Sequence, residues 1–160
     1  METGRFLAGI AALIWEPETD RYLLLRRAAD KDFGAGGWEC PTGRLDQGEG
    51  FTEALHREVR EELSVDVQLE FPLGTTHFYR GAPVPENELV GLVFCCSILP
   101  GQTIRTSAEH DARRWLTAAE MESFLPESHW LQPVIRRARF LQQQLPPAVR
   151  AHYREHGFDF

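Results

Sequence analysis

GRLDQGEGFTEALHREVREELSV, residues 43–65, is the stretch that decides how this chain folds and what chemistry it carries. Within it, apolar residues recur every four positions between charged ones, which predicts an amphipathic helix from Thr52 to Leu63. The apolar positions are Leu55, Val59 and Leu63. The polar side of this helix is rich in carboxylates, so its role depends on whether those groups face solvent or bind a ligand.

Three glutamates lie close together on the predicted helix. Glu58, Glu61 and Glu62 are spaced i, i+3 and i+4, so their side chains share one face. Neighbouring like charges destabilise an exposed helix by about 0.2–0.5 kcal/mol per pair, and a divalent cation would replace that repulsion with coordination. Arg57 and Arg60 offer another explanation, a solvent-exposed face of salt bridges. The cluster alone does not decide between the two.

The spacing around the cluster favours the metal site. Gly43, five residues, Glu49, seven residues and then residues 57–65 closely resemble the Nudix box, G-x5-E-x7-R-E-U-x-E-E-x-G-U, in which U is aliphatic. Eight of its nine specified positions match, and residues 38–43 look like the segment that usually precedes the box in this family. Only Ser64 departs, where the family has Gly. We expect Ser64 to end the helix in a left-handed conformation, at a cost of about 1 kcal/mol.

The rest of the pattern fits the fold that this resemblance implies. Strands that both form hairpins and alternate with helices predict an α/β fold (α+β by some schemes), in this family an α/β/α sandwich with a mixed β-sheet between helices. We expect residues 1–160 to form a single domain, because no repeat or linker interrupts them. The predicted strands are 6–15, 22–26, 65–69, 75–79 and 89–98, and further helices are predicted from Thr117 and over 133–145, the last ended by Pro146 and Pro147.

The resemblance also implies a magnesium-dependent hydrolase of phosphoanhydride bonds. By resemblance, Glu58, Glu61 and Glu62 bind Mg²⁺, for which Mn²⁺ can substitute. The same resemblance implies that the carbonyl of Gly43 completes the ligand set and that Glu49 contributes to a second metal ion. A cation at such a site neutralises phosphate charge and lowers the pKa of a bound water.

Three residues are candidates for the general base. Arg57 is expected, by resemblance, to orient Glu58, which serves either as a metal ligand or as the base. Glu109 lies in Ser-Ala-Glu-His-Asp, residues 107–111, which looks like a segment found in several family members. His110 competes with it, since its usual pKa lies near neutrality. The sequence leaves the three alternatives open.

Arginine and aromatic side chains outside the box supply candidate substrate contacts. Arg26 and Arg27 end a predicted strand, and we expect at least one to bind phosphate, because guanidinium groups match phosphate oxygens. Tyr79 is our aromatic candidate for stacking on a base, although aromatic residues beside strands are more often part of a core. Other aromatic residues with the same two interpretations are Phe33, Trp38 and Phe78. Trp130 is assigned to packing on what we expect to be the last helix.

Composition narrows the class of protein and its partners. The net charge of −7 disfavours a nucleic-acid binder, whose surface would be basic. The apolar run 7–15 is too short to span a membrane and lacks the flanks of a signal peptide. Three cysteines, an odd number without framework spacing, indicate reduced thiols. We therefore expect a cytoplasmic protein with a small nucleotide-type substrate and no membrane partner, and the resemblance allows for a homodimer.

The sequence leaves the identity of the substrate open. The leading hypothesis is a nucleoside triphosphate pyrophosphohydrolase, which releases a monophosphate and pyrophosphate. The alternatives in the same chemistry are ADP-ribose, nucleotide sugars and dinucleoside polyphosphates. A non-catalytic Nudix-like module that binds a nucleotide is disfavoured, because every carboxylate of the box is present.

Overall fold

Residues 4–160 are described by a computed structural model, in which seven strands form one mixed sheet and four α-helices cover it. A single 3-10 turn, Pro85–Asn87, precedes the sixth strand. This is the fold class that the sequence predicts. The elements are β1 (Leu7–Glu16), β2 (Arg21–Arg27), β3 (Trp38–Glu39), β4 (Thr42–Arg44), α1 (Phe51–Leu63), β5 (Val67–Tyr79), β6 (Glu88–Ile98), β7 (His110–Thr117), α2 (Ala118–Phe124), α3 (Leu131–Gln144) and α4 (Pro147–His156).

Strand β1 is the centre of the sheet. It pairs in parallel with β6 and antiparallel with β2 and β4, while β5 continues the sheet beyond β6 and β7 pairs with β2. Most of β1 is buried, which explains its nearly continuous apolar sequence. Strand β4 is paired with β1 and is the last element before α1. The sheet therefore positions the chain that leads into the carboxylate helix.

Strand β5 corrects the prediction of two separate strands at 65–69 and 75–79. It is one strand of 13 residues whose pairing with β6 shifts register twice, between Leu69 and Phe71 and between Pro72 and Gly74. Proline cannot donate to the ladder, and the shift beside it lets the strand continue as a bulge. The residues that the sequence analysis interpreted as a gap between two strands therefore form a bulge within one continuous strand.

Two apolar cores lie on opposite faces of the sheet. One packs β1 and β2 side chains against α2 and α3, and includes Met121, Leu131 and Ile135. The other packs the alternate side chains of the same strands against α1, and includes Leu55 and Val59. The predicted apolar stripe of α1 is thus its buried face.

The C-terminal helix α4 was not predicted. The two prolines do end α3, but Pro147 is also the first residue of α4, where a missing N–H costs no hydrogen bond. Arg154 on α4 donates to the carboxylate of Glu70, with Nη2 at 2.6 Å and Nε at 3.2 Å from Oε2. Beyond α4, the carboxylate of Asp159 accepts a hydrogen bond of 2.6 Å from the backbone N–H of Thr52 in the first turn of α1.

Helix α1 ends at Ser64 as the sequence predicts. Ser64 has φ 58° and ψ 33°, a left-handed conformation, and its N–H donates to the carbonyl of Arg60. Within residues 4–160, no helix is long and apolar enough to cross a membrane.

Candidate active site

A cleft of about 600 Å³ opens where α1, β4 and the end of β5 meet. Its charged lining combines carboxylates with arginines, and three partly exposed aromatic rings complete it. The carboxylates are Glu39, Glu58, Glu61 and Glu109. The arginines are Arg27, Arg44 and Arg80. The aromatic residues are Phe33, Phe78 and Trp130.

Arg57 on α1 donates hydrogen bonds to three glutamates. Its Nε and Nη2 atoms donate to the two oxygens of Glu49 at 2.8 Å each, which is a bidentate pair. Its Nη1 atom donates to Glu58 Oε1 at 2.8 Å and to Glu61 Oε2 at 3.4 Å. A further bond of 2.8 Å, from Nη2 to the carbonyl of Arg44, ties the helix to β4. Arg57 therefore holds the Glu58 carboxylate in place by a hydrogen bond.

Glu49 lies outside the cleft lining. Both of its oxygens are bound to Arg57, and Oε2 also accepts the N–H of Asp46 at 2.9 Å. The hydrogen bonds from Arg57 and Asp46 lower the pKa of Glu49 to about 2. In this arrangement the side chain fixes Arg57, and no oxygen of Glu49 is left to face the cleft.

Glu58 lies directly against β4. A Cβ atom at position 43 would overlap its carboxyl group, so a larger residue there would displace the Glu58 side chain from this position. Burial raises the pKa of Glu58, against the opposing effect of Arg57. Glu61 is more exposed, with 59% of its side chain accessible, and also lines the cleft.

Glu62 lies beneath the cleft lining and is only 2% exposed. Its Oε1 atom accepts a hydrogen bond of 3.3 Å from the N–H of Thr42, whereas Oε2 has no hydrogen-bond partner among residues 4–160. The nearest candidate, His110 Nδ1, is 3.8 Å away. Burial, and then the charge of Glu39, raise the pKa of Glu62 to about 9. This carboxylate is therefore poorly satisfied by its protein surroundings.

Glu39 is a site residue that our sequence analysis did not identify. Its Oε1 atom contacts His110 Nε2 at 2.9 Å and accepts a hydrogen bond from Arg27 Nη1 at 3.1 Å. Arg27 also donates to the carbonyl of Phe33 at 2.7 Å and lies 4.0 Å from Glu109 Oε2. The sequence feature that could have identified Glu39 is its place as an acidic residue in the short strand just before the box.

The three candidate bases differ in access. Glu109 has 47% of its side chain exposed and lines the cleft. The side chain of His110 is fully enclosed between Glu39 and Glu62. Glu58 lines the cleft but already accepts a hydrogen bond from Arg57.

Two predicted substrate contacts do not line the cleft. Arg26 points away from Arg27 and pairs with Asp111 at 2.6 Å, because successive side chains of a strand face opposite sides. Tyr79 is turned away from the cleft for the same reason, while its neighbours Phe78 and Arg80 line it. Trp130, which the sequence analysis assigned to packing, precedes the first residue of α3 and lines the cleft. Helix α3 is not the last helix, because α4 follows it.

The NUDIX domain profile matches residues 5–138, which is most of the chain. This chain belongs to the NUDIX family. The dihydroneopterin triphosphate diphosphatase of Escherichia coli (strain K12) is 31% identical to this NUDIX protein over 121 residues, which are 68% of this chain and 77% of the relative.

Solved structures share the NUDIX fold. The MutT protein from Methanosarcina mazei Go1 has a TM-score of 0.70 and 22% identity, and the match covers 91% of this chain and 100% of that one. The E. coli dihydroneopterin triphosphate pyrophosphohydrolase has a TM-score of 0.64 and 28% identity, with 83% and 96% covered. Members of the family are pyrophosphohydrolases that generally need a divalent cation.

Proposed function

We propose that this NUDIX protein hydrolyses a phosphoanhydride bond of a nucleoside triphosphate, releasing a nucleoside monophosphate and pyrophosphate. The observation that carries the proposal is Glu62, a buried carboxylate whose Oε2 atom has no hydrogen-bond partner among residues 4–160, next to the cleft-lining Glu58 and Glu61 on α1. The triphosphate class is supported by the name of the E. coli relative, a triphosphate diphosphatase.

The donor set fits Mg²⁺ or Mn²⁺. Carboxylates and the Gly43 carbonyl are hard oxygen ligands of the kind that these cations prefer. Within residues 4–160, no three His, Cys, Asp or Glu side chains are already arranged around a common point, and Arg57 pairs with both Glu58 and Glu61. We propose that Glu58, Glu61, Glu62 and the Gly43 carbonyl hold the cation. Once bound, it would supply charge neutralisation at the phosphates.

The protein side chains divide the remaining work. Arg57, fixed by Glu49, orients Glu58. We assign the general base to Glu109, because it is exposed in the cleft whereas His110 is enclosed. A water that attacks phosphorus passes a proton to the Glu109 carboxylate, and the bond from phosphorus to the leaving pyrophosphate oxygen breaks.

Substrate orientation would come from the other lining residues. Arg27 is held by Glu39 and the Phe33 carbonyl, so its guanidinium group is preorganised for phosphate. The rings of Phe33, Phe78 and Trp130 are large enough to stack on a base. We make no such assignment for Arg26 or Tyr79, which face away from the cleft.

Three expectations from the sequence remain proposals. We propose that residues 1–160 form one NUDIX domain, that the protein is cytoplasmic and that it can form a homodimer. Limited proteolysis tests the first, fractionation of cells the second and light scattering after gel filtration the third.

A panel of nucleotides tests the reaction. Purified protein with Mg²⁺ should release pyrophosphate from at least one nucleoside triphosphate, and EDTA should abolish that release. Glu61→Gln should lose most of the activity, whereas Glu127→Gln, an exposed glutamate outside the cleft, should retain it. No Mg²⁺-dependent turnover of any nucleotide would contradict the hydrolase. Turnover of ADP-ribose or another diphosphate-linked compound alone would replace the triphosphate with that class.

A further inference from the structure

The cleft contains two arginines that have no acidic partner. Arg27 is paired with Glu39, but Arg44 and Arg80 make no salt bridge with any carboxylate among residues 4–160. Both line the same cleft as Glu58 and Glu61 of α1. Among the described residues, four glutamates line the same cleft, yet none of them forms a salt bridge with Arg44 or Arg80.

Arg80 is not an ordinary solvated surface arginine. It is partly buried, and its guanidinium lies 5.5 Å from the centre of the Phe33 ring, a cation–π contact. Burial lowers the pKa of Arg80, and the positive charges of Arg44 and Arg27 act in the same direction. Its surroundings therefore disfavour its charge, and an anion from outside the protein would offset that cost.

The backbone keeps Arg80 at this place. Its N–H donates to the carbonyl of Asn87 at 2.9 Å, which closes the hairpin between β5 and β6. Asn87 Nδ2 in turn donates to the carbonyl of Ala82 at 3.0 Å across the tip of the same hairpin. The backbone of Arg80 is thus held by hydrogen bonds just after the end of β5, which restricts where its side chain can lie.

We propose that Arg44 and Arg80 bind the terminal phosphate of the substrate and make this site selective for nucleoside triphosphates over diphosphates. The inference rests on the proposed function. A phosphate chain has its charge spread along its length, which matches a cleft lined both by carboxylates that would hold a cation and by guanidinium groups without a carboxylate partner among the described residues. A diphosphate is one group shorter and would not reach both sets of groups in the same way.

Steady-state kinetics with the triphosphate and the diphosphate of one nucleoside test this selectivity. Arg80→Gln and Arg44→Gln should each lower kcat/KM for the triphosphate by about 10- to 100-fold, mainly through KM. For the diphosphate we expect a change within about 2-fold, since no terminal phosphate reaches these residues. Arg139→Gln is the matched control, because Arg139 is an exposed arginine of α3 without a salt bridge in the described chain.

A binding measurement separates this inference from the reaction itself. Inorganic tripolyphosphate, titrated in the presence of Mg²⁺, should bind wild type and Arg139→Gln alike and should bind Arg80→Gln and Arg44→Gln at least about 10-fold more weakly. Arg44 is exposed, so Arg44→Gln keeps the test valid even if Arg80→Gln folds poorly. Equal losses on both substrates, or unchanged tripolyphosphate binding, would overturn the inference. A wild type that binds tripolyphosphate through these arginines without hydrolysing any nucleotide would contradict only the proposed function.

Discussion

Two glutamates are buried in residues 4–160, and their surroundings differ. Glu70 is fully buried and satisfied: Oε1 accepts the Ser97 hydroxyl at 2.6 Å, and Oε2 accepts two N–H groups of Arg154. Glu62 receives one backbone N–H at 3.3 Å, and its second oxygen has no hydrogen-bond partner in the described chain. Glu70 is paired with a cationic side chain of the protein itself, whereas Glu62 lies near the carboxylates of Glu39 and Glu58.

This difference distinguishes a structural carboxylate from a functional one. A buried charge stabilises a fold only when a partner and hydrogen bonds compensate for the lost hydration. Glu70 has that compensation and fastens α4 to β5. Glu62 lacks it, so the fold tolerates a locally unfavourable group, which is typical of residues retained for binding or catalysis.

The largest effect should come from Glu62→Gln. We expect kcat/KM to fall by about 100- to 1,000-fold, because one proposed cation ligand is lost. The melting temperature of the metal-free protein at neutral pH should stay the same or rise, because glutamine is neutral without taking up the proton that the buried Glu62 needs. Kinetics and thermal unfolding with EDTA measure the two effects. A variant that is both fully active and strongly destabilised would make Glu62 a structural residue like Glu70.

Arg154→Leu should show the reverse pattern. We expect the free energy of unfolding to fall by about 3 kcal/mol, because Glu70 would keep its buried charge without a cation. Below the unfolding temperature, kcat/KM should remain within about 2-fold of wild type, since Arg154 is not among the residues that line the cleft. Urea denaturation measures the loss, and Arg139→Gln serves as the arginine control. An unchanged stability would remove the contrast between the two glutamates.

Stability in the absence of metal should also depend on pH through Glu62. Burial and Glu39 raise the pKa of Glu62 from 4.5 to about 9, so the folded protein keeps a proton that the unfolded chain releases. The stability linked to that proton is complete below about pH 4.5 and is lost as the pH rises towards 9. Urea denaturation with EDTA between about pH 5 and 9 should therefore give a flatter profile for Glu62→Gln than for wild type. Identical profiles would contradict the account of Glu62.

The smallest effect concerns the end of the carboxylate helix. Ser64→Gly should stabilise the protein by about 1 kcal/mol, because glycine adopts the left-handed conformation of Ser64 without the side-chain penalty. Activity should not change, as Ser64 makes no contact in the cleft. Thermal unfolding and kinetics check the two statements. A loss of activity without a loss of stability would show that Ser64 has a role beyond ending α1.

The sequence predicts the local features well and the long-range ones poorly. Helix α1, its left-handed end and the position of Glu58 follow from residues close together in the chain, and the structure has them. The ion pair between Glu70 and Arg154 joins positions 84 residues apart in the chain, so no local sequence pattern predicts it. Arg26 and Arg27 look alike in the sequence, and only the register of β2 decides which one enters the cleft.

Binding of Mn²⁺, followed by electron paramagnetic resonance without any nucleotide, tests the central claim most directly. The claim is that the carboxylates of α1, including the buried Glu62, hold a divalent cation. Wild type and Arg154→Leu should bind Mn²⁺ with the same affinity, and Glu62→Gln should bind it more than about 10-fold more weakly. Equal affinity of wild type and Glu62→Gln, or no binding by wild type, would contradict it.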